Sequence, residues 1–412
     1  MAKNYASLYA SPNDSIALEQ KVFVKEESVR GVLTAPTGAD FIYTLNGTSV
    51  NFSQPIESSP HKSGRHHNNI IKQKTTTEWT MPTFFNIDTS LGAPSTAEID
   101  PGMRVLYKSL MGKETSPGGV LTYTSGDAPS TTFSIFEIGD VWSKQASGAF
   151  VEAGNASFPG DGQAQIEWSG MAKTALTVGM GKTTINNAAN TVTLQVGEGK
   201  RFPVGAMVML IKADGTTRST DTPTGSPRTV TAVAGDVVTV SGAALTDADG
   251  TVGGGMYLVY YEPATAVAID NPQTGLQGSI TIVGLSSADC VRSATINMVN
   301  NHEVQDYCFG QEGLGGRLFT PGGKFTAEVT LELNLNHELV EFLNGLKEFS
   351  GEDITLILGD SAGRHFMMEV PKAIFPIPEI SVPDTGTIPV TFTGNAYQTA
   401  LDAADEVTLS FP

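Results

Sequence analysis

From Lys324 to Asn334 the chain alternates without a break. Lys324, Thr326, Glu328, Thr330, Glu332 and Asn334 fall on one side, and Phe325, Ala327, Val329, Leu331 and Leu333 on the other. A period of two predicts a strand with one apolar and one polar face, here over KFTAEVTLELNLN (324–336). The period then changes: Leu339, Phe342, Leu343 and Leu346 follow i, i+3, i+4, i+7 and predict a helix over 337–349, with Gly351 near its end. DITLILG (353–359) and RHFMMEVP (364–371) predict a hairpin, and TIPVTFTG (387–394) a last strand. A similar succession occurs earlier. IIKQKTTTEWTMPTFF (70–85) reads as a strand with Lys74, Thr76, Glu78 and Thr80 set against Trp79 and Met81. Asp100-Pro101 marks a helix start before the short apolar run MRVLYKSLM (103–111). The strands TTFSIFEI (131–138) and QAQIEWSG (163–170) follow, the latter with Gln163, Gln165, Glu167 and Ser169 facing away from Ala164, Ile166 and Trp168.

The two successions share wording as well as order. SFPGDGQAQIEWSGMA (157–172) and SVPDTGTIPVTFTGNA (381–396) carry Ser, Pro, Gly, Gly and Ala at the same places, 224 residues apart. KQKTTTEWTM (72–81) and GGKFTAEVTL (322–331) share Lys-x-Thr-x-Glu-x-Thr. Offsets near 224 and 250 are what a duplicated unit with unequal loops produces. The expected organisation is an N-terminal arm (1–20), a first unit (21–176) with an extended loop at 58–69, a small β domain (177–262), and a second unit (263–412). The expected class is mainly β with minor α: two tandem sandwich or open-barrel folds, each flanked by one short helix. Within 177–262, the Thr/Pro/Gly/Ser-rich stretch 216–228 reads as a mobile loop.

Composition narrows the function classes. The net charge of −18 argues against a protein that grips nucleic acid, which needs clustered Lys and Arg. The charge is uneven: −4 over 1–176, −1 over 177–262 and −13 over 263–412. Cys290 and Cys308 suit neither a disulfide framework nor a metal knuckle and read as buried thiols of a protein made in a reducing cytosol. The first residues lack an apolar signal core, and no run of 18 apolar residues occurs, so neither a secretion signal nor membrane insertion is expected.

Catalytic motifs are incomplete. GDSAG (359–363) fits G-x-S-x-G, but a strand-like run follows where a nucleophile elbow needs a helix, so Ser361 reads as a hairpin residue. GMGKTT (179–184) approaches a phosphate loop, yet Leu176 stands where the first Gly belongs. His61, His66 and His67 share a loop with Lys62 and Arg65, whose charge opposes a metal. DADGT (247–251) lacks the later acidic ligand of a calcium loop, and His302, His337 and His365 are scattered. No catalytic, cofactor or metal residue is assigned.

KVFVKEESVRGVLTAPTGADFI (21–42), the duplicated helix-bearing sheet, and FPVGAMVML followed by RTVTAVAGDVVTVSGAAL together resemble the major tail tube proteins of long-tailed bacteriophages. That resemblance implies a fold shared with the tubes of contractile tails and type VI secretion, joining side by side into rings. Most such proteins carry one fold and form hexamers; with two folds, a trimer is the natural pseudo-sixfold ring. It further implies a structural virion protein, made in the host cytoplasm, whose stacked rings form a conduit for DNA ejection. The partners are further copies of itself, a tape measure, a tail terminator and distal tail proteins, and DNA passes without specific binding. On this reading Glu78, Glu167, Thr326, Glu328, Thr330 and Glu332 face the lumen. Lys62, Arg65, His66 and His67 belong to a loop between rings, and 177–262 lies outside the tube. The competing classes are another β-sandwich virion protein, such as a capsid decoration protein or adhesin, and a hydrolase using Ser361.

Overall fold

The computed structural model describes residues 3–11, 20–58, 70–72, 75–85, 99–116, 120–126, 130–186, 190–223, 225–245, 255–264, 278–283, 285, 291–303, 320–321, 323–348, 351–360 and 364–411. It is mainly β, as the alternation predicts. After helix α1 (Tyr5–Ala10), the first copy comprises β1 (Lys21–Glu26), β2 (Phe41–Ile42), β3 (Ser49–Ser53), the small ribbon β4 (Ile56–Ser58) with β5 (Ile70–Lys72), and β6 (Thr76–Phe84). Helix α2 (Pro101–Met111), the hairpin β7 (Gly112–Thr115) and β8 (Leu121–Ser125), then β9 (Phe133–Ile138), β10 (Ser143–Pro159), β11 (Gln165–Ala172) and β12 (Thr174–Val178) complete it. A separate closed sheet follows, from β13 (Met180–Asn186), β14 (Thr191–Leu194), β15 (Met207–Ile211), β16 (Arg228–Ala234), β17 (Val237–Val240) and β18 (Tyr257–Tyr260). The second copy contains β19 (Gly278–Ile282), β20 (Val291–Val299), the ribbon β21 (His302–Glu303) with β22 (Thr320–Pro321), β23 (Thr326–Asn334) and helix α3 (His337–Gly345). It ends with β24 (Glu352–Asp360), β25 (Arg364–Ile374), β26 (Pro389–Ala396) and β27 (Thr408–Phe411).

Pairing repeats with the sequence. In the first copy β1 pairs β9, β9 pairs β10, and β10 pairs both β11 and β12, while β6 lies between β3 and β11. In the second, β19 pairs β24, β24 pairs β25, and β25 pairs both β26 and β27, while β23 lies between β20 and β26. One antiparallel scheme is thus executed twice, with a helix between the third and fourth strands of each scheme. The recurring glycine has a steric cause. A Cβ on Gly170 would stand 2.0 Å from the Phe150 carbonyl oxygen, and one on Gly394 would stand 2.3 Å from that of Ile374. Phe150 and Ile374 are themselves 224 residues apart, so the same close crossing is built twice.

The 17-residue strand β10 serves two sheets. Ser143–Ser147 lies between β9 and β12, and after a register shift at Val151/Ala153 the rest lies between β11 and β20. Such an irregularity bends a strand and lets it leave one sheet for another. Helix α2 packs under this bend. Asp100 and Pro101 begin it, Gly112 ends it in the left-handed region at φ 83°, and Leu106 and Leu110 are fully buried. Tyr107 meets the Trp168 ring edge-on with centroids 5.1 Å apart. Burying each such aliphatic side chain stabilises the fold by about 1.5–3 kcal/mol. One apolar core runs through both copies, and a second fills the six-stranded barrel.

The barrel packs against the sheet of β1, β9 and the first half of β10. Gln145 donates to the Met207 carbonyl (2.8 Å) and accepts from the Met207 N–H (2.7 Å), while Tyr260 donates to the Asp140 carbonyl (2.7 Å). The expected mobile loop at 216–228 is instead anchored where it is described. Ser219 and Thr222 are buried, the Leu210 N–H donates to Thr222 Oγ1 (3.0 Å), and Arg228 donates to the Asp221 carbonyl (3.0 Å). Short hydroxyl side chains turned inward replace the solvent contacts that their composition suggests.

Residues 3–10 strap onto the barrel. Glu262 accepts from Lys3 (3.1 Å), Lys21 (2.6 Å) and Tyr5 (2.8 Å). Burial alone would push the Glu262 carboxyl up, but the Lys3 charge and the charge and hydrogen bond of Lys21 outweigh it and hold the group below its ordinary range. Burial lowers the Lys3 ammonium, against the pull of Glu262.

Candidate functional site

Four strands of each copy join edge to edge in the order β3-β6-β11-β10-β20-β23-β26-β25, every neighbour antiparallel. The inward faces of these strands supply the core, including Trp79, Ile166, Trp168, Ile296, Val329, Leu331 and Phe392. Alternation therefore turns the intervening residues to one polar, solvent-facing surface.

All six residues expected on a lumen wall lie on this surface. Glu78, Glu167, Thr326 and Glu328 are exposed, while Thr330 and Glu332 are half-buried. Register sets their neighbours. Glu78 stands between Asn51 and Met171, Glu167 between Asn155 and Pro82, and Glu328 between Asn297 and Asn395. Thr330 lies between Thr295 and Thr393, its Oγ1 3.3 Å from that of Thr393. Glu332 takes a hydrogen bond from Arg292 Nη1 (2.9 Å) and another from Ser293 Oγ (3.4 Å). Among the described residues, Glu332 alone of the four carboxylates makes an ion pair. Within the spans paired in this sheet (49–53, 76–84, 150–159, 165–172, 291–299, 326–334, 373–374 and 389–396) Arg292 is the one Lys or Arg, while Lys144, Arg364 and Lys372 lie on other parts of β10 and β25. The surface thus offers carboxylates, hydroxyls and amides, and scarcely any cation to hold a phosphate.

The amides were missed in the sequence. Asn155 and Asn297 face each other across the β10–β20 pairing, and Asn51 and Asn395 flank Glu78 and Glu328. The signal for β20 is present: Ser293, Thr295 and Asn297 alternate with Ala294, Ile296 and Met298. In β10 small residues (SGAFVEAGNAS) blur the alternation.

The four loop residues Lys62, Arg65, His66 and His67, with His61, lie outside the described residues, as do Cys290, Cys308, Ser361 and DADGT (247–251). The strands flanking Ser361 pair with each other, Asp360 opposite Arg364, so the local frame is a hairpin. GMGKTT runs into β13. His302 Nδ1 lies 2.8 Å from Glu152 at the end of the β10–β20 pairing, His337 opens α3, and His365 sits on β25. Among the described residues no three metal-ligating side chains converge, and no helix is long and apolar enough to cross a membrane. An open cleft of about 970 Å³ beside the 397–406 loop is lined by Lys324, Lys372, Tyr397, Leu401, Asp402 and Glu406, where Glu406 accepts from Ser125 and Gln398. No protein-family model matches the sequence, and no curated protein matches it either.

Proposed function

We propose that this chain is a structural protein that closes into a three-membered ring, and that rings stack into the tube of a phage tail. The observation that carries this reading is the eight-stranded sheet, built from two four-stranded halves of identical pairing and bearing one polar, cation-poor face. An isolated sheet of this kind ends in two edges, and closing it on further copies removes them. Three copies give about 24 strands; at ~4.8 Å spacing and ~40° tilt the backbone diameter is on the order of 50 Å, wide enough for a duplex to pass. Glu78, Glu167, Glu328 and Glu332 on the inner wall would repel phosphate, letting DNA slide without being held. The barrel packs on the sheet of β1 and β9, on the outside of such a tube. The loop bearing Lys62 and Arg65 has the sign to meet the acidic second copy of the next ring, and a tape measure, terminator and distal tail proteins would cap and template the stack.

Electron microscopy of the purified protein, dilute and concentrated, tests the reading. Hollow end-on views with threefold symmetry and a nearly sixfold inner wall are expected. Monomers at every concentration, with and without a tape-measure template, would overturn it. In phage, Glu328→Lys with Glu332→Lys is expected to leave tubes intact and slow DNA ejection; ejection at the parental rate would remove the role given to the inner carboxylates.

A further inference from the structure

The chain contains one finished seam and the two halves of another. In the finished seam β10 pairs with β20: Ala153 lies opposite Val299, Gly154 opposite Met298, Asn155 opposite Asn297 and Ala156 opposite Ile296. Ala156, Ile296 and Met298 are 1% exposed or less there, and Phe158 is 4% exposed. The Asn300 N–H donates to the Glu152 carbonyl (2.9 Å) and the Gly160 N–H to that of Arg292 (2.9 Å), so even-numbered β10 residues turn their backbone groups toward β20.

The counterparts of these two strands lie at the two ends of the eight-stranded sheet. Asn51 stands opposite Glu78 as Asn297 stands opposite Glu328, which sets Ser49-Val50-Asn51-Phe52-Ser53 equivalent to Thr295-Ile296-Asn297-Met298-Val299. Phe150 stands opposite Met171 as Ile374 stands opposite Asn395, and the offset of 224 sets Ala156, Ser157, Phe158 and Pro159 equivalent to Ile380, Ser381, Val382 and Pro383. At the sheet ends three of the four equivalent apolar side chains are bare: Phe52 is 52% exposed, Ile380 40% and Val382 71%, whereas Val50, the counterpart of Ile296, is already buried (1%) beside Glu137 and Lys144. Three positions sealed inside the chain are thus open at the two ends of the sheet, still occupied by apolar residues.

We infer that segment 375–383 of one copy docks along β3 of a second copy in the register of the internal seam. Ile377 then faces Ser53 across the seam, Pro378 faces Phe52, Glu379 faces Asn51, and Ile380 faces Val50. The inference rests on the ring reading above and specifies which edges meet. Its chemistry differs from the internal seam. Pro376 and Pro378 lack an N–H. The Val50 N–H already donates to Glu137 (3.2 Å), and its carbonyl accepts from Lys144 (2.7 Å). Backbone bonding is therefore one-sided, with the Phe52 N–H donating to the Pro378 carbonyl. Burial of Ile380, diagonal to Phe52, does the rest, since diagonal neighbours on a sheet face reach one another when one is aromatic. Prolines and charged caps on an edge refuse an arbitrary strand, which suits a seam meant for one partner.

Asn51→Cys combined with Glu379→Cys, in a Cys290→Ser/Cys308→Ser background, tests the register. These positions form a non-hydrogen-bonded pair, whose Cα separation of roughly 4.5 Å lies within disulfide range. After oxidation of assembled protein, most of the monomer band is expected to move to a covalent trimer, and neither single-cysteine variant should do so. Asn155→Cys with Asn297→Cys, spanning the internal seam, should link within one chain and leave its mass unchanged. Rings visible by microscopy without a covalent trimer overturn this seam while leaving the ring reading standing; no rings and no cross-link overturn both. Ile380→Asp, at an exposed position, should abolish rings with the thermal unfolding midpoint unchanged, and rings that persist would also overturn the seam.

Discussion

The two copies of the fold share one pairing scheme but differ in how finished they are. Helix α2 buries eight of its eleven residues, whereas α3 buries Leu339 and Phe342 of its nine and leaves Val340 48% exposed. After α2 the chain inserts the hairpin β7–β8, and β8 pairs with β27, lending a strand to the second copy. After α3 it goes through a short 3-10 turn (Leu346–Glu348) to β24. The first copy also meets the barrel and the N-terminal strap. Interiors at equivalent positions agree, with Trp168 answered by Phe392 and Ala172 by Ala396. Duplicated folds thus diverge where their neighbours differ, and the second copy leaves more of its helix exposed.

One interior exception sharpens the comparison. Glu137 and Lys144 form a pair (3.6 Å) whose counterparts, by register, are Leu356 and Met368. The charged pair stands where the β3 backbone needs partners, and the apolar pair where β10 already supplies them to β20. Burial raises the Glu137 carboxyl beyond what Lys144 and the Val50 N–H offset.

The largest expected effect separates equivalent positions of the shared core. Trp168→Ala removes the ring against Tyr107 and a 3.0 Å hydrogen bond to Thr83, and is expected to cost about 4 kcal/mol; Phe392→Ala should cost about 3. Denaturant unfolding measures both, and a larger loss at Phe392 would reverse the ranking of the copies. Next, Glu137→Leu alone should cost about 3 kcal/mol, because it strands Lys144 and the Val50 N–H. Glu137→Leu with Lys144→Met, which copies the second unit, removes the stranded ammonium but leaves both backbone groups of Val50 without their partners, so it should stay about 2 kcal/mol below the parent. A double variant as stable as the parent would show that the Val50 backbone does not need the pair.

Gly170→Ala and Gly394→Ala should each cost about 2 kcal/mol, since a backbone carbonyl occupies the space of the new Cβ. Unequal costs would mean that the shared glycine serves different ends in the two copies. The smallest effect concerns the strap, which only the first copy's side carries. The folded Glu262 carboxyl is held below its ordinary range, so its contribution is present above that range and lost as pH falls through the folded value. Limited proteolysis should release residues 3–11 faster near pH 3 than near pH 7, and Glu262→Gln should abolish the difference. Glu137 acts with the opposite sign: its raised carboxyl takes up a proton in the folded state first, so mild acidification adds stability there.

Alternation, helical spacing and the repeated glycine motif were legible in the sequence, and with them the class, the helices α2 and α3, and the faces of β6, β11 and β23. They were legible because each is written in consecutive residues: a period fixes which side of a strand is apolar, and a glycine marks where another backbone must come close. Glu78 and Glu328 could therefore be placed on a polar face from the sequence alone. What no period encodes is which strand lies next to which, since backbone donors and acceptors are the same on every edge. The tertiary structure decided that β10 leaves its own copy to pair with β20, that β8 crosses to β27, and that Asn155 meets Asn297 across a seam. Those choices depend on the bend at Val151/Ala153 and on a core shared by residues far apart in the chain.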